Sequence, residues 1–258
     1  MGKIETKKVP DFLIIGAARS GTSSLVEYLR KYNIFLPEKE PNFFFKDSEY
    51  KKGIDYYIQK YFNAAKEKNY VLIGEKSSSY LFGGLKTATR IYNFNKNIKL
   101  VVILRNPIER AYSNYIFTVR NGIEILDFEY AILKEGERVQ HYIGKWKEIK
   151  PFDYIGRSKY YSQLKEYYNI FNKENIIVLI FEELINKKEE ELQKLCSFLN
   201  IKYRKDLLFP KVNSNNVNKK LKKNVYNYIL DKLEREILEL SFLLKKDLGK
   251  IWNIQREK

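Results

Sequence analysis

Phe12-Leu13-Ile14-Ile15-Gly16-Ala17-Ala18-Arg19-Ser20-Gly21-Thr22-Ser23-Ser24 is the stretch on which the fold turns. Four consecutive apolar residues without polar alternation read as a strand buried on both faces. Small residues follow, and then Leu25, Tyr28 and Leu29 mark one face of a helix over 21–32. A strand, a small-residue loop and a helix amino terminus make an anion cradle, because unpaired backbone N–H groups converge there and the helix dipole adds positive potential. The spacing G-x-x-x-x-G-x-(S/T) is the frame of a nucleotide-phosphate loop. Thr22 stands where an ATPase loop carries its lysine, and a basic side chain comes earlier instead, at Arg19.

The same pattern repeats along the chain. Apolar runs at 34–36, 71–73, 100–104 and 176–181 read as further buried strands, with helical periodicity over 108–120, 158–171 and 188–199. Strands alternating with helices imply an α/β fold: a P-loop-type three-layer arrangement, with a central parallel sheet of about five strands flanked by helices. After a polar, turn-prone stretch at 211–218, the segment 221–248 carries Val225, Tyr228, Ile229, Leu233, Ile237, Leu240 and Leu244 at helical spacing. It predicts a long amphipathic C-terminal helix. With no internal repeat and no Pro/Gly/Ser linker, 1–258 reads as one domain.

Composition narrows the class. With 44% hydrophobic and 15% aromatic residues the chain can build a core of its own. No run approaches the roughly 20 apolar residues that span a bilayer, and the polar amino terminus lacks the apolar centre of a signal peptide. One cysteine, Cys196, forms no internal disulfide, and with one histidine, His141, it makes no dedicated zinc site. A reduced, cytoplasmic protein without a metal is the expectation. Cys196 falls on the apolar face of a helix and reads as packing, and His141 receives no role. The formal charge of +16 draws anions, but lysine-rich composition accounts for most of it. Residues 202–258 hold 15 basic and 7 acidic side chains, half of the excess.

A second constellation follows the fourth strand: Leu104-Arg105-Asn106-Pro107-Ile108-Glu109-Arg110-Ala111-Tyr112-Ser113-Asn114-Tyr115. Pro107 suits the first turn of a helix. Arg105 lies at a strand's carboxyl end, where open α/β sheets bind ligands, and Ser113, two turns into the helix, could share a phosphate with it if the chain folds back. Glu109 and Arg110 read as solvated helix charges.

Together the two segments resemble the sulfotransferases that use 3′-phosphoadenosine 5′-phosphosulfate (PAPS), matching that family's 5′-phosphosulfate loop and its 3′-phosphate motif, L-R-(D/N)-P-x-x-R-x-x-S-x-Y. Lys39-Glu40-Pro41-Asn42-Phe43-Phe44 resembles the K-E-P-x-F-F segment of the glycan-acting branch, which includes the heparan sulfate N- and 3-O-sulfotransferases. Gly74-Glu75-Lys76-Ser77-Ser78-Ser79-Tyr80 is similar to its G-E-K-(T/S)-P-x-Y segment. Tyr160 and Gln163, Phe181 to Leu184, and Leu248 to Trp252 fit as well, so the likeness runs from about Pro10 to Trp252.

The resemblance implies a site. Ser20, Gly21, Thr22, Ser23 and Ser24 would hold the 5′-phosphate. Arg19, where many members carry Lys, would neutralise the bridging oxygen electrostatically, since arginine does not give up its proton. Arg105 and Ser113 would take the 3′-phosphate. Glu40 maps to the catalytic base, and Lys76 to a lysine near the transferred sulfonate. Relatives often carry His at the position of Asn42, so more of the burden falls on Glu40. Lys219 and Lys220, with Lys222 and Lys223, stand where such enzymes return a basic segment over the cofactor. Four lysines at a helix amino terminus oppose its dipole and call for a compensating anion. The implied reaction moves a sulfuryl group to a hydroxyl or amine, on a glycan or glycolipid acceptor, leaving adenosine 3′,5′-bisphosphate (PAP), with no metal and no nucleic-acid partner. Two readings stand beside it. A P-loop kinase or NTPase lacks its lysine at Thr22, and a basic nucleic-acid-binding protein leaves the ordered phosphate motifs to chance.

Overall fold

The computed structural model describes residues 8–210 and 221–256. Lys219 and Lys220 lie outside the described residues. Five parallel strands form one sheet in the order β2-β3-β1-β4-β5: β1 (Phe12–Gly16), β2 (Ile34–Phe35), β3 (Leu72–Lys76), β4 (Lys99–Leu104) and β5 (Ile176–Ile180). The first strand is central because its apolar run leaves no face for water. Alternate residues point to opposite layers. Leu13 and Ile15, with Leu100, Val102 and Leu104, pack into one core against the helices Gly84–Phe94, Tyr160–Ile170 and Lys223–Leu244. Phe12 and Ile14, with Val101 and Ile103, enter a second core under the helices Thr22–Arg30 and Lys188–Leu199. The result is three layers, helix on sheet on helix.

Phe12 and Gly74 face each other across the β1–β3 pair, and any Cβ at 74 would run into the Phe12 ring. Glycine there lets a large aromatic lie across the neighbouring strand, and the strand continues to Lys76, past the apolar run that predicts it. β5 ends at Ile180, one residue short of the apolar run, and Phe181 opens a short helix, Phe181–Asn186. The long C-terminal helix spans Lys223–Leu244 rather than 221–248. Lys245 takes a left-handed conformation (φ +53°) that ends it, and Asp247 then caps a final turn, Leu248–Ile251. Lys222 finds its anion within the protein: its Nζ lies 2.7 Å from Glu129. For this lysine, the expectation of a phosphate as the compensating charge is corrected.

Cys196 is buried, 3.6 Å from the Tyr32 hydroxyl. His141 is exposed. Arg110 corrects the expectation of a solvated charge: it is completely buried, with Nε donating to Ser158 Oγ at 2.6 Å and Nη2 to the Tyr154 carbonyl. Ser158 in turn donates to the Pro107 carbonyl, so the guanidinium joins the start of its own helix to the turn before the Tyr160 helix.

Candidate active site

The carboxyl ends of β1 and β3, with Asn114, Phe117 and Thr118 of the helix that follows β4, open onto one cleft of about 410 Å³. After β1 the chain turns through Arg19, at φ +72°, and Gly21, at φ +93°. A Cβ on Gly21 would lie 2.9 Å from the Phe181 ring, so glycine serves both the left-handed turn and the close approach. The Thr22 helix then begins with no side-chain cap and no acidic residue in its first turn. Its amino end is left free for an anion. Thr22 is buried, Ser23 exposed, Ser24 half-buried, and Ser20 completely buried under the loop.

Glu40 reaches the cleft from the loop after β2. Its Oε1 accepts from Lys76 Nζ at 2.6 Å, and its Oε2 from the Ser78 amide and hydroxyl, each at 3.0 Å. The carboxylate is thus docked on the end of β3, which explains how residues 36 positions apart become neighbours. Arg19, Thr22, Ser23, Glu40 and Lys76 all line this space.

Ser113 and Arg105 are buried behind Arg19. Ser113 Oγ accepts from Arg19 Nε at 3.4 Å, while Arg105 packs over the Phe181 ring and pairs with Glu109 at 2.7 Å. Glu109 is therefore a partner of Arg105 and not merely a solvated helix charge. Burial, with the nearby charges of Arg105 and Arg120, pulls the Arg19 guanidinium below its usual range. Arg105 Nε is buried and, among the described residues, has no hydrogen-bond partner. An uncapped helix start, a glycine cradle, clustered guanidiniums and an unanswered buried donor together fit a polyanionic ligand.

Asn106 positions this pair of walls. Its side chain caps the Pro107 helix by accepting from the Ile108 and Glu109 amides, at 3.0 and 3.2 Å, and donates to the Trp252 carbonyl at 2.9 Å. Glu182 fastens the same corner, accepting from the Asn106 amide and from Trp252 Nε1.

Arg157 is the cleft residue that sequence reasoning missed. It is buried, donates to the Ile149 carbonyl at 2.6 Å and to Ser79 Oγ at 3.4 Å, and lies over the Phe82 ring. Burial, with Arg110 close by, pulls it down to about 10. The only signal in the sequence is its position three residues before Tyr160. The facing wall is apolar, formed by Phe117, Ile123, Ile149 and Pro151.

The profile of a family described as "Sulfotransferase domain" matches residues 9–241. "Membrane-associated sulfotransferase kil1" of Dictyostelium discoideum is 32% identical over 138 residues, which cover 51% of this chain and 29% of that protein. "Heparan sulfate glucosamine 3-O-sulfotransferase 3B1" of Homo sapiens is 30% identical over 199 residues, 76% of this chain and 47% of the relative. The chain thus spans less than half the length of either relative. Among solved structures, a sulfotransferase from Alicyclobacillus acidocaldarius superposes with a TM-score of 0.77 at 26% identity, covering 95% of this chain and 99% of the other.

Proposed function

Since this chain belongs to the sulfotransferase family, close to its glycan-acting branch, we propose that it transfers a sulfuryl group from PAPS to a hydroxyl or amine of a carbohydrate or glycoconjugate, with Glu40 as the base. The observation that carries this reading is the Glu40 carboxylate held by Lys76 and Ser78 in the same cleft as the Arg19–Ser24 loop. Relatives named for heparan sulfate support a glycan acceptor.

PAPS would supply a sulfuryl group already activated by its link to phosphate; that sulfur–oxygen bond breaks as the acceptor's bond to sulfur forms. The amides of 20–24, with the Thr22 and Ser23 hydroxyls, would hold the 5′-phosphate, and Arg105 and Ser113 the 3′-phosphate. Glu40 takes the acceptor's proton. Arg19 remains protonated and offsets charge on the departing oxygen. Lys76, bonded to Glu40, ties the base to the place where the sulfonate is presented. Lys219 and Lys220 are proposed to close over the 3′-phosphate and limit access of water.

PAP without magnesium should raise the melting temperature, and ATP with magnesium should not. Labelled PAPS offered with heparan sulfate, amino sugars and aryl glycosides should label one of them, undiminished by a chelator, because Arg19, Lys76 and Arg157 provide the cationic field. Stabilisation by magnesium–ATP alone, or turnover abolished by the chelator and restored by magnesium, would overturn this reading.

A further inference from the structure

Lys76 meets Glu40 in the cleft, while its neighbour Glu75 points to the other side of the strand. Glu75 is completely buried, and its partners are hydroxyls. Tyr57 Oη donates to Oε2, Ser77 Oγ donates to Oε1 at 2.7 Å, and the Tyr80 hydroxyl adds a third donor. Ser77 has one hydroxyl hydrogen, and Glu75 receives it. Its oxygen is thereby turned to accept from the Asn42 amide, at 2.8 Å. Asn42 sits at φ +49°, and Pro41 before it has a restricted φ of its own. Little backbone freedom remains between the anchored amide and Glu40. Lys76 and Ser78, the two residues flanking Ser77, hold the Glu40 side chain. One short segment of chain therefore grips the Glu40 loop at both its backbone and its carboxylate.

We propose that Glu75 and Ser77 are positioning residues for the base: the buried carboxylate orients the Ser77 hydroxyl, which holds the Asn42 amide and with it the turn that presents Glu40. This rests on the reading of Glu40 as the base. It also carries a pH dependence. Burial pushes Glu75 up to about 7, against the opposing pull of the Tyr57, Ser77 and Tyr80 hydroxyls and with the charge of Glu40 adding to the rise. These are the titratable groups that face it: Tyr57 from the helix Gly53–Phe62, Tyr80 from the turn after β3, and Glu40 from the loop after β2. A proton on Oε1 removes the acceptor that fixes the Ser77 hydroxyl and frees it to rotate. Turnover should therefore fall as pH drops through about 7.

The test compares kcat–pH profiles of the full chain and its variants. Labelled PAPS is the donor, and both water and the best acceptor of the panel are used. Ser77→Ala should lower kcat about tenfold, with the donor KM within about twofold, because misplacing the base costs rate and not donor affinity. Ser77→Thr, which restores the hydroxyl, should recover most of the loss. Tyr57→Phe removes a hydrogen bond to the charged carboxylate and should move the acid limb to higher pH, while Glu75→Gln should abolish that limb. In the protein without donor, a protonated-carboxyl infrared band should grow in as pH falls through about 7. One component of it should be missing in Glu75→Gln and displaced upward in Tyr57→Phe. Lower melting temperatures with unmoved pH profiles and an unchanged kcat in Ser77→Ala and Tyr57→Phe would overturn the inference. Glu40→Gln separates the two failures. If it keeps full turnover, the base itself is misassigned; if it loses turnover while the Ser77 and Tyr57 variants do not, only the positioning role fails.

Discussion

Arg105 and Arg110 stand five residues apart in one motif and have opposite fates. Arg105 keeps a buried, unanswered Nε beside Arg19, whereas Arg110, whose Nη1 is also unanswered, is completely buried and tied through Nε to Ser158 and through Nη2 to the Tyr154 carbonyl. Arg105→Ala or Ser113→Ala should therefore raise the donor KM by about tenfold or more, tenfold being the low end of what one charge-assisted hydrogen bond is worth. Glu40→Gln should leave that KM nearly unchanged and lower kcat by about a hundredfold. Steady-state kinetics with varied PAPS checks both, and a Glu40→Gln enzyme that loses donor affinity at full kcat would reverse the assignment. That Arg19, Glu40 and Lys76 come together in one cleft was legible because each sits inside a short, ordered motif. Arg110 and Arg157 were not, since a charged side chain declares its burial only through partners that arrive from elsewhere in the chain. For Arg110 those partners are 44 and 48 residues away.

Elements were easier to read than their ends. Five continuous apolar runs became five strands, and the Lys188–Leu199 helix has the limits its periodicity implies. The end of the long helix was missed because Lys245, not a glycine, adopts the left-handed conformation that stops it, and no residue type announces that. The Pro107 helix takes its side-chain cap from Asn106. Asn106→Ala removes an acceptor for two amides and the donor to Trp252, and should cost about 1–2 kcal/mol of stability. Urea unfolding would measure it, with Asn106→Asp recovering the cap but not the Trp252 bond. Equal stability of the Ala variant and the parent would show that water replaces the side chain at no cost.

At the scale of the molecule, the order β2-β3-β1-β4-β5 was not legible, because apolar runs alone do not say which strands pair. The buried acids set a property of the whole chain. Burial raises both Glu75 and Glu135 above the ordinary glutamate value, so between about 4.5 and 7 the folded state binds protons that the unfolded state has released. Their contribution to stability is complete below that window and is lost as pH rises through it. Asp47 runs the other way: Arg90 and Lys86 hold it low, and its share is lost as the medium turns more acid. Denaturation midpoints should therefore be higher near pH 5 than near pH 8, and Glu75→Gln should reduce the difference; a midpoint that rises toward pH 8 would contradict it. Resistance to unfolding and turnover then favour opposite ends of one pH range. The bond from Asn106 to Trp252 spans 146 positions, and it bears on how the protein is made. At roughly 5–20 residues per second, a ribosome needs about 7–30 s to travel between them. Throughout that interval the residues around Asn106 are already made while Trp252, on which their corner closes, is not, so assembly of that corner waits until position 252 has been read.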